Sequence, residues 1–361
     1  MINLKSKDKI IIIALQGIGN TLFLIPMIKT LKKKYPSVSI SILLRKTFIK
    51  EVIDNSFFID NYYILEDFKF SNFFRAFKLL LKLRSLKFKV SLTAFPANKY
   101  LFNLVSFFIG ATHRIAHKYK RFNFRNLNFL NTQLVPLKLQ HDYFQNFNLL
   151  NPLKISAPNK IQPELWFKNN DEASSFLKRH KITKKTKLIG IHPGSSSQRA
   201  MKEKRWSSDK FEGLIQKIVD TYPSVKILIF LGPDESDLFE IFKKNKNLII
   251  IFKKELSFVI SLISKMNFFI SNDSGLMNIA VALRKKILAI SGGPTDPIRT
   301  YPLGTGNSLV FSNIACYPCR GLHNIGQKFH CIYSTRKCLE TISLNLVWDI
   351  FRMHFQKGMS K

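Results

Sequence analysis

The chain has 361 residues, more than one typical domain needs and comfortable for two. Apolar residues make up 46% and charged residues 22%, enough to bury a sizeable core, which excludes a chain disordered throughout. Lys and Arg number 57 against 23 Asp and Glu, a formal net charge of +34, so the expected partners are polyanions: nucleic acid, anionic lipid headgroups or phosphorylated sugars. A compositional explanation stands beside this one, because the chain is also crowded with Ile, Asn and Phe, residues that AT-rich codons supply along with Lys. That bias accounts for surplus Lys but not for scarce acids.

At the start of the chain, the run Ile10–Leu15 is too short for a signal-peptide core and lacks a small-residue cleavage site. The longest apolar stretch, Tyr100–Thr112, falls short of the roughly 20 residues a spanning helix needs. A soluble, cytoplasmic chain is expected, peripheral on a membrane if it meets one. Lys9–Leu15 reads as a β-branched strand ending in Gln16-Gly-Ile-Gly-Asn20, after which Leu22, Ile25, Ile28 and Leu31 recur at helical spacing. The turn Tyr35-Pro36-Ser37 then leads to a strand at Val38–Leu44.

The same succession returns downstream: strand Lys187–His192, loop Pro193-Gly-Ser-Ser-Ser197, helix Phe211–Tyr222, a second Tyr-Pro-Ser turn and strand Val225–Leu231. Strand, glycine loop, helix and strand, twice over, predict two doubly wound α/β domains. The proline-bearing stretch Asn151–Gln162 reads as their linker. The expected boundaries are 1–155, 165–340 and a C-terminal helical segment at 341–361. Within the second half, Asn267–Ser271 is a strand, Asp273-Ser-Gly opens a helix at Leu276–Leu283, and strand Lys286–Ile290 ends in Ser291-Gly-Gly-Pro-Thr-Asp-Pro297.

Gly17-Ile-Gly-Asn-Thr21 stands at the carboxyl end of its strand, where open parallel sheets bind ligands. It is not a dinucleotide fingerprint, since Leu22 replaces the third Gly and Leu43-Leu44-Arg45 closes the next strand without an acid. A tight strand-to-helix turn is the plainer explanation. His192-Pro-Gly-Ser-Ser-Ser-Gln followed by Lys202-Glu-Lys-Arg-Trp206 suits a phosphate, cradled by amides and hydroxyls with Lys204 as point charge. A solvated basic loop is the alternative. Asp273 is either an N-cap or a residue that fixes the loop while the helix N-terminus faces an anion. With the loop at Ser291, three loops are expected to converge on one cleft.

Together these residues resemble glycosyltransferase family 9, the ADP-heptose:lipopolysaccharide heptosyltransferases and their relatives. The resemblance rests on Gly17-Ile-Gly-Asn-Thr-Leu, Pro26, Leu31-Lys, His192-Pro-Gly-Ser, Lys204-Arg-Trp206, Leu231-Gly-Pro-Asp-Glu235, Asn272-Asp-Ser-Gly-Leu-Met-Asn278 and Gly293-Pro-Thr-Asp-Pro297. It implies a GT-B fold, two Rossmann-like domains facing across a cleft. It also implies inverting transfer, without metal or cofactor, from a nucleotide-sugar, an ADP-sugar favoured. The implied acceptor is a lipid-linked glycan, such as lipopolysaccharide core, at the cytoplasmic face of the inner membrane. No Asp-x-Asp occurs in the chain, in keeping with transfer without a metal clamp.

By the same resemblance, Lys204 neutralises the departing diphosphate and the amides around Ser274-Gly275 and Pro294-Thr295 hold it. His192, Gly194, Ser195 and Asp273 belong to the donor site, and Glu235 or Asp234 binds the ribose. Gly17, Gly19 and Asn20 face the acceptor. The family most often has Asp at the Asn20 position as general base. An amide cannot take a proton, so that role is excluded here and a relative that binds donor with little turnover becomes a second reading. Asn278 also stands where the family usually has His.

Arg114, Lys118, Lys120 and Arg121 form a cluster suited to acceptor phosphates, or a solvated loop. Phe68–Lys89 alternates cations with Phe and Leu, as a basic amphipathic helix on anionic lipid does, or one packed on its own sheet. Cys316, Cys319, Cys331 and Cys338 have ligand types that suit zinc, without the short second spacing of a ribbon, and otherwise read as reduced thiols. Nucleic-acid binding is the alternative of another class. Against it, the basic residues are spread through both halves and no recognition module occurs.

Overall fold

The computed structural model describes all residues except 1, 54–56, 67–72, 120–125, 197–201, 325–330, 334 and 357–361. The chain divides into two compact units, one of Met1–Trp166 with Gly321–Gly326, the other of Phe167–Arg320 with Gln327–Lys361.

The first unit is built on strands β1 (Lys9–Ala14), β2 (Ser39–Leu44), β3 (Asn61–Ile64), β4 (Val90–Thr93), β5 (His113–Lys118) and β6 (Gln133–Pro136). They form one sheet in the order β3-β2-β1-β4-β5-β6, and every neighbouring pair is parallel. A parallel sheet is covered on both faces, so its central strands must be apolar without alternation. Ile10–Ala14 are accordingly all fully buried. The described helices of this unit are α1 (Ile18–Leu22), α2 (Ile25–Lys34), α3 (Phe73–Ser85), α4 (Tyr100–Ile109) and α5 (Asp142–Asn148).

The second unit repeats the plan with β7 (Leu188–His192), β8 (Lys226–Leu231), β9 (Leu248–Phe252), β10 (Phe268–Asn272), β11 (Lys286–Ser291) and β12 (Ser308–Phe311), in the order β12-β11-β10-β7-β8-β9. All its pairs are parallel too. Counted within each unit, both sheets run 3-2-1-4-5-6, the Rossmann winding, which reverses direction between the first and fourth strands. Its described helices are α6 (Asp171–Arg179), α7 (Ser208–Thr221), α8 (Ser236–Phe242), α9 (Leu256–Ile263), α10 (Gly275–Ala282), α11 (Pro297–Thr300), α12 (Lys337–Glu340) and α13 (Leu344–Gln356). The two Tyr-Pro-Ser turns do the same work in each unit. Val38 N–H donates to Tyr35 C=O at 3.2 Å and Val225 N–H to Tyr222 C=O at 3.0 Å, closing the helix and starting the next strand.

Three local readings of the sequence change. The helix expected to run on from Leu22 is broken: α1 stops there, and Pro26 in the first turn of α2 starts a second one. The stretch read as a linker is packed on the first unit, where Leu153, Ile155 and Ile161 are buried and Glu164 pairs with Lys29 at 2.8 Å. The C-terminal helix belongs to the second unit. Val347, Phe351 and Phe355 join Phe211 and Ile215 in one core, with Phe351 edge-on to Phe268 at 5.3 Å.

Candidate functional site

The winding of the second unit singles out one place, the carboxyl ends of β7 and β10, between which the strand order reverses. The loops after β7, β10 and β11 start there, and the sequence supplies what their geometry needs. Gly190 on β7 has Phe230 and Phe269 where a Cβ would stand, the nearest ring carbon 2.6 Å away, so the strand passes between two rings. Gly194 is more constrained: a Cβ on it would fall inside the Glu235 carboxylate.

That carboxylate is buried and serves the protein itself. Glu235 accepts from Gly232 N–H at 2.6 Å, with His192 Nε2 3.7 Å and Arg205 Nη2 3.9 Å from its Oε1. His192 is buried and donates through Nδ1 to Phe230 C=O at 2.8 Å. Arg205 donates to Ser195 C=O at 2.6 Å and to Ser195 Oγ at 3.3 Å. Asp237 is 3.3 Å from both Arg205 and Lys202; burial alone would raise its carboxyl, but these two cations bring it below the ordinary range. Of the two carboxylates considered for the ribose, Glu235 is thus turned inward and Asp234 lies exposed on the same turn.

Next to Arg205 in the chain, Lys204 points the other way. Its Nζ lies 2.9 Å from Asp273 Oδ2, with both side chains largely buried (12% and 8% exposed). Asp273 does not cap the helix. Ser274 is the N-cap of α10, its Oγ accepting from Met277 N–H at 3.2 Å, which leaves the Asp273 carboxylate for Lys204. The Asp273 backbone is held by its N–H donating to Ile290 C=O at 2.9 Å. A Cβ on Gly293 would rest 3.6 Å from the Lys204 Cβ, which brings the loop after β11 against the same lysine. Gly293 has φ +66, a conformation glycine adopts without strain. In that loop Thr295 has an amide N–H to offer and Pro294 has none.

Sequence reasoning overlooked the residue that joins these loops. Asn272, fully buried at the end of β10, accepts from Trp206 N–H at 3.0 Å through Oδ1 and donates from Nδ2 to Pro193 C=O at 2.6 Å. The loop segments around 194, 204, 274 and 293 are therefore gathered at one edge of one sheet, with Asn272 and Arg205 as internal braces. Ser197 lies outside the described residues.

In the first unit the corresponding reversal lies between β1 and β4. Gln16, buried and also overlooked, donates through Nε2 to Ala94 C=O at 2.6 Å and to Pro96 C=O at 2.9 Å, tying the two loops together. Gly17, with φ −84, precedes α1; Gly19 and Asn20 are part-exposed within that helix. Lys118 ends β5 on the same edge and is exposed. Arg114 sits four residues earlier, about 13 Å toward the other end of the strand. Its guanidinium donates to Leu130 C=O at 2.7 Å and Ala111 C=O at 2.8 Å, so it braces that end of the sheet. Lys120 and Arg121 lie outside the described residues.

Among the described residues, no group of three or more His, Cys, Asp or Glu is placed to hold a metal ion, the four cysteines included. Cys338 Sγ instead accepts from Gly293 N–H at 3.3 Å. Burial first, then the neighbouring thiols, push the Cys319 thiol up to about 11, and burial raises that of Cys338.

Two Rossmann-wound units in one chain, each with its loop set at the strand reversal, make up a GT-B fold. A family model for glycosyltransferase family 9 (heptosyltransferase) matches residues 96–330, and the chain belongs to that family. The solved structure of a family 9 glycosyl transferase from Veillonella parvula superposes with a TM-score of 0.78 at 17% identity, over 99% of each chain. ADP-heptose lipopolysaccharide heptosyltransferase II of E. coli gives 0.73 at 18% identity, covering 97% of this chain and 99% of the other. E. coli heptosyltransferase WaaC, solved with ADP, gives 0.66 at 14%, covering 98% and 100%. Among curated proteins no sequence match is found.

Proposed function

We propose that this glycosyltransferase moves a heptose-like sugar from an ADP-sugar to a lipid-linked glycan such as lipopolysaccharide core, with inversion and without a metal ion. The observation that carries the reading is the Lys204–Asp273 pair at the strand reversal of the second unit. An ammonium group has three N–H donors, and Asp273 occupies one of them. Among the described residues no other group pairs with Lys204, which leaves two donors for a diphosphate, beside the first-turn amides of α10 near Ser274 and Gly275 and the Thr295 amide. These groups supply stabilisation as charge develops on the leaving group, the work that a divalent cation does at other sites. In this account Asp273 orients Lys204, Asp234 contacts the ribose, and His192, Ser195 and Glu235 hold the Gly194 loop in place. The neighbours solved with ADP support the donor; the acceptor rests on the family resemblance.

In the first unit, Gly17, Gly19, Asn20 and Lys118 are assigned to the acceptor, whose lipid anchor would hold the enzyme peripherally on the cytoplasmic face of the inner membrane. Asn20 favours a second reading, a donor-binding relative with little turnover, because a carboxamide cannot act as general base. Release of ADP from ADP-heptose in the presence of acceptor tests both. Lys204→Ala is expected to cut the rate at least tenfold, about 1.4 kcal/mol of transition-state stabilisation, with the fold intact. An unchanged rate removes Lys204 from the site. A gain in rate for Asn20→Asp means that this loop faces the acceptor, whereas ADP-sugar binding without turnover in either protein favours the second reading.

A further inference from the structure

Helix α3 carries two apolar stripes, and its core uses only one. Ala76, Leu80 and Leu83 are buried against the sheet of the first unit together with Val105 and Ile109 of α4. Phe73, Phe77 and Leu81, at the i, i+4, i+8 spacing of a second stripe, stay exposed, as does Phe74 at 82%. Phe73 and Phe77 lie parallel with centroids 6.4 Å apart. Helix α4, packed beside α3, adds Phe107 and Phe108, both exposed. Arg84 Nη1 donates to Phe108 C=O at 3.2 Å, so the end of α3 is tied to this second pair of rings. A run of exposed phenylalanines across two adjacent helices is far from the scattered apolar surface of an ordinary monomer.

The charge around it has one sign. Arg75, Lys78, Lys82 and Lys87 are exposed along α3 and its following turn. No Asp or Glu stands between Asp67 and Asp142 anywhere in the sequence, a stretch that holds fourteen Lys and Arg. We propose that the exposed stripe of α3 with Phe107 and Phe108 of α4 is a docking surface for an anionic phospholipid bilayer. The rings enter the boundary between headgroups and acyl chains while the lysine stems reach along the helix to the phosphates. A protein groove would serve the rings equally well, but the unbroken positive charge around them is matched by a continuous sheet of anionic headgroups. This deepens the lipid-linked acceptor reading and rests on it only for the purpose of docking: a transferase held at the surface meets its acceptor without searching the bulk.

The test is flotation of the full chain with vesicles of phosphatidylcholine alone, or with phosphatidylglycerol as about a third of the lipid. Melting temperature and ADP-induced thermal shift are measured on the same samples. The protein is expected to bind anionic vesicles at least tenfold more tightly than neutral ones and to be released by salt. Phe74→Ser/Phe77→Ser and Lys78→Glu/Lys82→Glu are each expected to lose at least tenfold in vesicle binding with melting temperature and ADP shift unchanged. Phe74→Ser alone is the reserve should a double variant melt early, since Phe74 is the most exposed of these rings. Vesicle binding that the Phe variants leave intact overturns the proposal, as does equal binding to neutral and anionic lipid. Binding of an RNA duplex in place of vesicles overturns it as well. Absence of an ADP shift in the unaltered protein counts against the donor site and leaves the vesicle result to be read by itself.

Discussion

Asn272 and Gly194 show how single residues hold the donor loops. Asn272 spends an acceptor and a donor on the two ends of the loop after β7, which Arg205 also ties together through Ser195, and it does so with no exposure. Asn272→Ala leaves the Trp206 N–H and the Pro193 C=O buried without a partner, at a cost of about 2 kcal/mol. A lowered urea midpoint with unchanged slope is the expected result. Gly194→Ala forces the Glu235 carboxylate away from the loop and releases its hold on Gly232. Weaker ADP binding at near-native melting temperature would show that the Gly194 loop is tuned for the ligand more than for stability. In the first unit, His117 is buried with Nε2 donating to Gln145 C=O, and desolvation brings its pKa down to about 4. It is neutral in the fold, while the unfolded chain takes up a proton at its ordinary value of 6.5. Stability is therefore lost as pH falls from about 6.5 toward 4, by roughly 3 kcal/mol at the low end. His117→Gln should flatten that limb of the melting-temperature profile.

At the scale of elements, β1, β2, β7, β8, β10 and β11 were legible because each is an apolar run buried almost throughout, and the two Tyr-Pro-Ser turns marked where helices give way to β2 and β8. The part-exposed β3, β5, β6, β9 and β12 and the four-residue β4 were not read from the sequence. The loops at Gly17, Gly194, Ser274 and Gly293 were legible as well, since glycine and serine between a strand and a helix leave few alternatives. What periodicity could not assign was the face a side chain serves. Lys204 and Arg205 are adjacent cations in sequence, yet one reaches Asp273 and the other Ser195, and only the fold separates them. Gln16 and Asn272 were visible as members of their loop motifs, but their work as braces was not, because a carboxamide beside a glycine or an aspartate looks like any loop residue. Helix α3 packs one stripe on its own sheet, one of the two alternatives weighed for it, and leaves a second stripe exposed. The cysteine segment touches the donor loops through backbone: Cys319 N–H donates to Gly293 C=O at 3.3 Å and Cys338 Sγ receives Gly293 N–H. With both thiols raised by burial, alkylation by iodoacetamide at pH 8 should be slow at these two positions, with the Cys319 rate still rising toward pH 11. A plateau near pH 9 by peptide mapping would contradict that environment.

For the whole molecule, the excess of +34 is a matter of partners and not of fold, since neither sheet requires it. In this account the charge has two uses, attraction of phosphate at the loops and of anionic headgroups at α3. At the donor loops of the second unit the charges of Lys204 with Asp273 and of Arg205 beside Glu235 are largely removed from water. A salt series separates the two. Docking driven by the many exposed cations should fall steeply with ionic strength, while ADP binding at the part-buried Lys204 should fall little, as read by thermal shift across the same series.

The most direct measurement is calorimetric titration of the protein and of its Lys204→Ala variant with ADP and with AMP. If Lys204 receives the second phosphate, the variant binds ADP at least tenfold more weakly than the unaltered protein does, while AMP binds both alike. Equal affinity of the two proteins for ADP, or a loss that is the same for AMP, would contradict the assignment of this lysine to the leaving diphosphate.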